Sequence, residues 1–286
     1  MTGAGERQRN IHSLRDQLSE RHLVMGILNV TPDSFSDGGQ FLEADRAVDH
    51  ALGLVGEGAD LIDIGGESSR PGSERVGPGE QLERVLPVIG GVRGSSDIPI
   101  SVDTTSSEVA RAALDAGADI INDISALRDD DKMAGTVAEL GAGVVLMHLR
   151  GSPKTMQEDT VYQDLVGEIS GFLKERAEVA TEAGVPKESI WIDPGIGFGK
   201  SVEGNLELVA RLSEFDSLGC PVVIGASRKS FIGAVLDRDV EDRLAGSLGV
   251  TAYLASKRPN RVHRVHDVRE VRDILRIARA LEGAAA

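Results

Sequence analysis

The chain has 286 residues, with 46 acidic against 31 lysine and arginine side chains and a formal net charge of −15 at pH 7. This charge argues against non-specific binding to nucleic acid, which needs a basic surface, so any anionic ligand must meet a local group of cations. The single cysteine, Cys220, cannot form an internal disulfide, and no stretch has the apolar length of a membrane span or a signal peptide. We expect a cytoplasmic protein that contacts neither nucleic acid nor a membrane.

The first twenty residues are polar, and only Ile11, Leu14 and Leu18 recur at helical spacing. They predict an N-terminal extension over residues 1–20 that carries one helix, followed by a single domain over residues 21–286. Within that domain, eight short apolar runs alternate with helical patterns. The runs are 24–30, 61–64, 99–102, 120–121, 144–147, 190–192, 221–224 and 262–265. The clearest helical patterns are 44–55, 82–92, 109–114, 165–183 and 206–212.

The sequence predicts eight strands, each followed by a helix, which is the number of units in a (β/α)8 TIM barrel. The runs are continuous rather than alternating, as is typical of parallel strands that are covered on both faces. Glycine-alanine pairs at 58–59, 117–118 and 141–142 fall between a helix and the next strand, where a left-handed helix stop is needed. A doubly wound open sheet remains an alternative, but the eight units fill the chain without remainder and favour the barrel.

Polar residues gather directly after the predicted strands, where the carboxyl ends of barrel strands build an active site. They are Asn29, Glu67, Asp103, Asn122, Asp123, His148, Asp193, Lys229, Arg264 and His266. Two loops, 31–40 and 65–79, are longer than a strand-to-helix turn requires and indicate lids or binding loops at the same end. The segment Gly225–Ser230 follows an apolar run and opens a predicted helix, which is how a backbone presents N–H groups and a lysine to an anion.

Five longer motifs run through the chain: MGILNVTPDSFSDGG at 25–39, DIGGESSRPG at 63–72, IDPGIGF at 192–198, GASRKSF at 225–231 and RVHDV at 264–268. Together these motifs resemble the dihydropteroate synthase family. The resemblance covers nearly the whole chain from Leu23 onward and implies a TIM barrel. It also implies an enzyme of folate biosynthesis that joins 6-hydroxymethyl-7,8-dihydropterin diphosphate to 4-aminobenzoate, a transferase of the pterinylmethyl group.

The resemblance implies a pterin site at the strand ends. Asp193 would accept the N–H donors of the pterin edge, Asp103 and Asn122 would complete the polar rim, and Lys229 would donate to the carbonyl side. The apolar faces of the ring would contact Ile124, Met147 and Phe198. From the residues alone, Asp193 could instead cap a helix before Pro194, Asp103 could cap a helix at 104 or 105, and Met147 could be ordinary core.

For the diphosphate, the resemblance implies cationic contacts from Arg264 and His266 and a Mg²⁺ ion held by Asn29 together with phosphate oxygens and water. From the residues alone, Asn29 could be a turn residue, and Arg264 with His266 a basic strand tip. Phe35 and Asp37 of the first loop and Ser69, Arg70 and Pro71 of the second would form the 4-aminobenzoate pocket. Lys229 and Ser230 would meet the carboxylate of that substrate.

The resemblance assigns catalytic roles to Asp37, Arg70, Lys229, Arg264 and His266, through stabilisation of departing diphosphate and exclusion of water. Ser69 departs from the threonine that many family members carry, which loses a methyl group from the second loop. The family is also expected to form homodimers and to bind sulfonamides at the aminobenzoate pocket. A pterin-dependent methyltransferase and a non-catalytic pterin-binding paralogue remain alternative functions at this stage.

Overall fold

Eight parallel strands form one sheet in the computed structural model, which describes residues 3–31, 40–68, 73, 75–257 and 259–285, and for 40–43 and 285 only the backbone. The strands are β1 Leu23–Asn29, β2 Leu61–Gly65, β3 Ile100–Asp103, β4 Ile120–Asp123, β5 Gly143–Met147, β6 Ile190–Asp193, β7 Val223–Ile224 and β8 Val262–Val265. Their order is β6-β5-β4-β3-β2-β1-β8-β7. A parallel bridge between Ile192 and Val222 joins β6 to the segment leading into β7, so the sheet curls into the predicted TIM barrel.

Ten α-helices of the described residues surround or close this barrel. They are α1 Ala4–Glu20, α2 Gln40–Gly56, α3 Pro78–Arg93, α4 Ser107–Asp115, α5 Met133–Glu139, α6 Leu165–Glu182, α7 Val202–Ala210, α8 Ser230–Leu236, α9 Leu244–Ala255 and α10 Val268–Ala285. None of these helices is long and apolar enough to cross a membrane. Each predicted strand and helical pattern is present, with ends displaced by a few residues, and α5 is a helix that the apolar spacing did not reveal.

The apolar residues divide into a layer inside the barrel and a layer outside it. Val24, Ile62 and Ile64 lie outward and pack with the surrounding helices. Strand residues of the other parity, such as Met25 and Trp191, fill the interior. Because the side chains of a strand alternate between its two faces, every strand is buried on both sides.

Helix α1 closes the amino-terminal end of the barrel. Its predicted apolar residues Ile11, Leu14 and Leu18 are buried in one cluster with the interior strand residues. The guanidinium group of Arg7 donates to the backbone oxygens of Leu114, Ala118 (2.9 Å) and Leu140 (2.7 Å). Burial lowers the pKa of Arg7, and these carbonyl groups at helix ends supply acceptors that the charge requires.

The helix-to-strand turns at this end have the predicted left-handed glycines. Gly58, Gly117 and Gly141 have φ values of +101°, +117° and +62°. At the second turn, Gly117 N–H donates to Leu114 O (3.0 Å) and Ala118 N–H donates to Ala113 O (2.9 Å), which is the hydrogen-bond pattern of a Schellman stop. These turns place the other ends of the strands, with their polar residues, at the opposite mouth of the barrel.

Candidate active site

A buried cluster of charged and amide groups joins four strands at the mouth of the barrel. Arg264 of β8 donates through Nε to Asp63 Oδ2 of β2 (2.7 Å) and through Nη2 to Asp103 Oδ2 of β3 (3.0 Å), and Nη2 also forms an ion pair with Asp63 Oδ2 at 2.6 Å. Asn122 Nδ2 of β4 donates to the same Asp63 oxygen (3.0 Å). Three of these residues are predicted site residues, and the structure brings them together around a fourth, Asp63.

Asp63 is a site residue that the sequence did not reveal as such. Its side chain is fully buried, and among the described residues its second oxygen, Oδ1, has no hydrogen-bond partner. The available signal was a carboxylate inside the apolar run 61–64, which is costly unless the charge is paired. Asp63 is therefore the group that holds Arg264 and Asn122 in fixed positions.

Asp103 titrates unusually in this cluster. Burial raises its pKa to about 7, the negative charges of Asp63, Glu67 and Asp123 act in the same direction, and Arg264 opposes them. The alternative that Asp103 caps a helix is wrong, because α4 begins at Ser107 and its N-cap is Ser106. Asp103 is thus a carboxyl group that can accept or donate a hydrogen bond near neutral pH.

Asp193 ends β6 and faces the same mouth. Its Oδ1 accepts a hydrogen bond from Gly195 N–H (2.7 Å), and its Oδ2 lies 4.0 Å from the point where a Cβ on Gly225 would stand. The next helix, α7, begins only at Val202 and is capped by Ser201, so Asp193 does not cap it. Burial raises the pKa of this carboxyl group, while the Gly195 N–H and then Lys229, Arg264 and Lys200 oppose the rise.

Lys229 stands beside Asp193 and above an aromatic ring. Its Nζ lies 3.8 Å from the ring centroid of Phe198, a cation–π contact. A Cβ on Gly197 would lie 2.8 Å from Lys229 Cδ, so the glycine leaves room for the lysine chain. Burial lowers the pKa of Lys229 to about 8; Arg264 contributes to this shift, and Asp193 and Asp103 oppose it.

An apolar wall adjoins these polar groups. Met147 and Phe198 form one buried cluster with Leu149 and Met156, and Ile124 packs against it. The three residues predicted to contact a ring therefore do lie together. A flat ring with N–H donors along one edge could stack on this wall while its edge meets the carboxylates.

His266, just beyond β8, contacts the segment after β7. Ser227 Oγ lies 3.1 Å from His266 Nδ1 and accepts the backbone N–H of His266 (3.3 Å). When the hydroxyl donates its proton to Nδ1, the proton of the neutral ring is on Nε2. Burial, with the charges of Arg264 and Arg228, lowers the pKa of His266 to about 4. At neutral pH it is an N–H donor rather than the cation that the sequence led us to expect.

Asn29 and Ser230 complete the predicted residues that can be placed. Asn29 ends β1 and lies beside Gly65. A Cβ built on Gly65 would lie 3.8 Å from Asn29 Oδ1 and 3.5 Å from Asp103 Cβ. The amide oxygen is therefore beside the charged cluster. Ser230 is the first residue of α8, next to Lys229, and is exposed.

The other predicted loop residues, Phe35, Asp37, Ser69, Arg70 and Pro71, lie outside the described residues. The base of the second loop is described. Glu67 accepts hydrogen bonds from Val76 N–H (3.3 Å) and from Gln81 Nε2 (2.9 Å), and Gln81 Oε1 accepts the Thr104 hydroxyl (3.0 Å). Burial raises the pKa of Glu67. These bonds fasten both ends of the loop to the barrel next to Asp103.

Comparison with known proteins identifies this arrangement. A sequence model of the pterin binding enzyme family matches residues 25–266. The dihydropteroate synthase of Synechocystis sp. is 49% identical over 229 residues, which cover 80% of this chain and 79% of that protein. The chain belongs to the dihydropteroate synthase family. Within this family, the dihydropteroate synthase of Clostridium beijerinckii is 45% identical over 241 residues, covering 84% of this chain and 87% of that protein.

Solved structures of the same family show the same fold. The Xanthomonas albilineans dihydropteroate synthase with 4-aminobenzoic acid is similar with a TM-score of 0.86 and 46% identity, over 92% of this chain and 94% of that one. The complex of that enzyme with 7,8-dihydropteroate gives a TM-score of 0.82, 44% identity and the same coverage. The Yersinia pestis dihydropteroate synthase with a sulfonamide drug gives a TM-score of 0.87 and 41% identity over 92% and 95% of the two chains.

Proposed function

We propose that the strand-end cluster is the substrate site of a dihydropteroate synthase. This enzyme condenses 6-hydroxymethyl-7,8-dihydropterin diphosphate with 4-aminobenzoate to give 7,8-dihydropteroate and diphosphate. The observation that carries the proposal is the convergence of Asp193, Asp103, Asn122 and Lys229 beside the apolar wall that includes Phe198. These residues come from four different strand ends in a chain that is 49% identical to a named synthase.

The pterin would be recognised along one edge and on one face. Asp193 Oδ2 accepts N–H donors of the ring, because Oδ1 is already engaged by Gly195 N–H. Asp103 and Asn122 form the polar rim, and Asn122 is fixed by its bond to Asp63. Lys229 donates to the carbonyl side of the ring, and Met147 and Phe198 contact its face.

Departure of diphosphate is the step that the charges at this mouth favour. Arg264 and the Nε2–H group of His266 would stabilise the leaving group. Once the C–O bond breaks, the methylene carbon is a cation conjugated with the pterin ring, and the arylamine attacks it. The loops with Phe35, Asp37, Ser69, Arg70 and Pro71 would hold 4-aminobenzoate and exclude water, and Ser230 with Lys229 would receive its carboxylate.

A Mg²⁺ ion fits this site through Asn29. Its amide oxygen is a single neutral ligand beside the charged cluster, and the described residues include no group of three His, Cys, Asp or Glu side chains that could hold a metal ion by themselves. Mg²⁺ is commonly bound by few protein oxygens together with substrate phosphates and water. When bound, the ion would neutralise charge on the diphosphate.

Three further properties belong to the same proposal. A homodimer is supported by exposed apolar side chains on adjoining helices, Tyr253 of α9 and Ile277 and Leu281 of α10. Sedimentation of the wild type and an Ile277→Asp variant would test it. Sulfonamides are proposed to compete with 4-aminobenzoate, and the lone cysteine suits a reducing, cytoplasmic compartment.

The test is formation of dihydropteroate and release of diphosphate from the two substrates with Mg²⁺. Wild-type protein should make both products in equal amounts, and Lys229→Ala should lose pterin binding together with turnover. Arg70→Ala should weaken turnover or 4-aminobenzoate binding but retain pterin binding. Folded wild-type protein that binds the pterin diphosphate and releases neither product would contradict the synthase function and favour the non-catalytic paralogue.

A further inference from the structure

A fully buried lysine lies behind the pterin site. Lys200 follows the loop after β6 and is 3% exposed. Its Nζ contacts Gly195 O and Phe198 O, each at 2.8 Å, His148 Nδ1 at 2.9 Å and His148 O at 3.2 Å. The first two acceptors belong to the loop that follows Asp193 and includes Phe198, and the other two belong to His148, directly after β5. Lys200 therefore fastens two neighbouring strand ends to each other.

The number of acceptors indicates the charge state of this group. An ammonium group has three N–H donors, whereas a neutral amine has two. Four acceptors surround Nζ when His148 accepts at Nδ1, and a neutral amine then offers two N–H donors to them where the ammonium group offers three. The ammonium form satisfies this set, with one N–H shared. His148 then accepts at Nδ1 and carries its proton on Nε2.

The surroundings of His148 agree with a neutral imidazole. The ring is buried and packs edge-on against Phe172, with centroids 5.0 Å apart. Burial lowers the pKa of His148, and the charges of Lys200, Arg128 and Arg150 act in the same direction. A protonated imidazole beside the ammonium group would place two buried cations in contact.

All four atoms that contact Lys200 are neutral, so its counter-charge is more distant. Burial lowers the pKa of Lys200, and the positive charges of Lys229 and Arg150 lower it further. In the part of the chain that the structure describes, Asp193 is the one charge facing Lys200 that opposes this shift and favours the ammonium form. The charges that face Asp193 are Lys229, Arg264 and Lys200. Lys229 and Arg264 come from the mouth of the barrel, whereas Lys200 lies beneath the loop.

We propose that Lys200 is a positioning residue for pterin recognition: its ammonium group fixes the loop that directly follows Asp193 and keeps the Asp193 carboxylate ionised when the bound ring displaces water. This rests on the proposed role of Asp193. Removal of water increases the free-energy cost of an unpaired buried charge. A buried cation that is already hydrogen-bonded before the substrate arrives offsets this cost without any movement of the loop.

The variants Lys200→Gln and Lys200→Met separate the charge from the hydrogen bonds. Gln has two N–H donors for the loop oxygens but no charge, and Met has neither. Binding of 6-hydroxymethylpterin would be measured by calorimetry from pH 4.5 to 8.5. Binding should weaken as the pH falls and Asp193 takes up a proton, and in both variants this weakening should begin about 1 pH unit higher than in wild type. Lys200→Arg should restore the wild-type profile.

A purely structural role predicts a different pattern. Lys200→Gln would then bind the pterin more tightly than Lys200→Met by the same factor at every pH, and the pH profile of neither variant would shift from that of wild type. That result would overturn the proposal. Lys174→Met, on the exposed face of α6, is the matched control and should behave as wild type. Asp193→Asn tests the role of Asp193 itself: unimpaired pterin binding in this variant would contradict the proposed function, whichever way the Lys200 variants behave.

A measurement on the wild-type enzyme does not depend on whether the variants fold. Nitrogen-detected NMR of ¹⁵N-labelled protein at pH 7 should show Lys200 Nζ bearing three protons and His148 protonated at Nε2 alone. An amine with two protons, or a His148 ring protonated at Nδ1, would contradict the proposal directly.

Discussion

Replacing Asp63 by asparagine should impair both the stability and the activity of the enzyme. The side chain keeps its size but loses the charge that forms an ion pair with Arg264 and accepts one hydrogen bond each from Arg264 and Asn122. Removing one partner of a buried ion pair typically costs about 3–5 kcal/mol. Arg264 retains Asp103 at 3.0 Å, so we expect the free energy of unfolding to fall by about 2–3 kcal/mol.

The pH dependence of this loss has a definite sign. Asp103 has a pKa of about 7 in the folded enzyme and about 4 when unfolded, so its folded state binds the extra proton and stability falls as the pH rises from about 4 to about 7. Asp63→Asn removes a negative charge that raises this pKa. The decline should therefore be smaller in the variant, and the stability difference from wild type should be larger at pH 5 than at pH 8.

Urea unfolding at pH 5, 6.5 and 8, together with kcat/KM for the pterin diphosphate, tests these expectations. Displacement of Arg264 by about 1 Å should lower kcat/KM by about 10²-fold. Asp60→Asn is the matched control, since Asp60 accepts from Arg21 and Arg272 at the closed end of the barrel. It should lose stability and retain kcat/KM. The reasoning is refuted if Asp63→Asn stays within threefold of wild-type kcat/KM, or if Asp60→Asn loses as much activity.

Three other predictions concern separate parts of the molecule. Gly197→Ala puts a Cβ 2.8 Å from Lys229 Cδ and should weaken pterin binding at least about tenfold. The control Gly219→Ala, with φ +70° and no atom within 4 Å of its Cβ, should cost only about 1–2 kcal/mol of stability. Equal pterin binding by the two variants in calorimetry would contradict this prediction. Because the pKa of Lys229 is about 8, pterin binding should weaken above pH 8, and Lys229→Arg should remove that decline; a wild-type titration that stays flat to pH 9.5 would rule it out. Leu14→Ala, at a site 1% exposed, should lower the free energy of unfolding by about 2–5 kcal/mol with kcat/KM unchanged, and a loss below about 1 kcal/mol in urea titration would show that α1 is not part of the core.

The sequence predicts the architecture well because barrel strands are short apolar runs whose burial is visible in composition alone. The eight runs and the three glycine turns lie where the structure has them. The helix Met133–Glu139 was missed because its seven residues make only two turns, too few for a repeat of apolar residues at helical spacing to be recognised. The strands on either side of this helix, β4 and β5, pair with each other because the barrel closes around them. No local sequence pattern indicates this pairing.

The site could be predicted only in part, and the reason is distance along the chain. Motifs indicate Asp193, Phe198 and Lys229, but not which atoms each of them meets. Asp63 contacts Arg264 across 201 positions, and Lys200 contacts His148 across 52. In the sequence, a charged residue near apolar residues has the same pattern whether its side chain contacts water or a buried partner. The roles of Asp63 and Lys200 therefore became visible only in three dimensions.

The attachment of α1 has a consequence for how the chain reaches its native state during synthesis. Arg7 is made more than a hundred residues before its acceptors at Leu114, Ala118 and Leu140. Contacts of such wide sequence separation form late, since loop closure must precede them. We therefore expect the apolar face of α1 to dock only after β1 to β5 have been made, later than α4 and α5, which follow it in the chain.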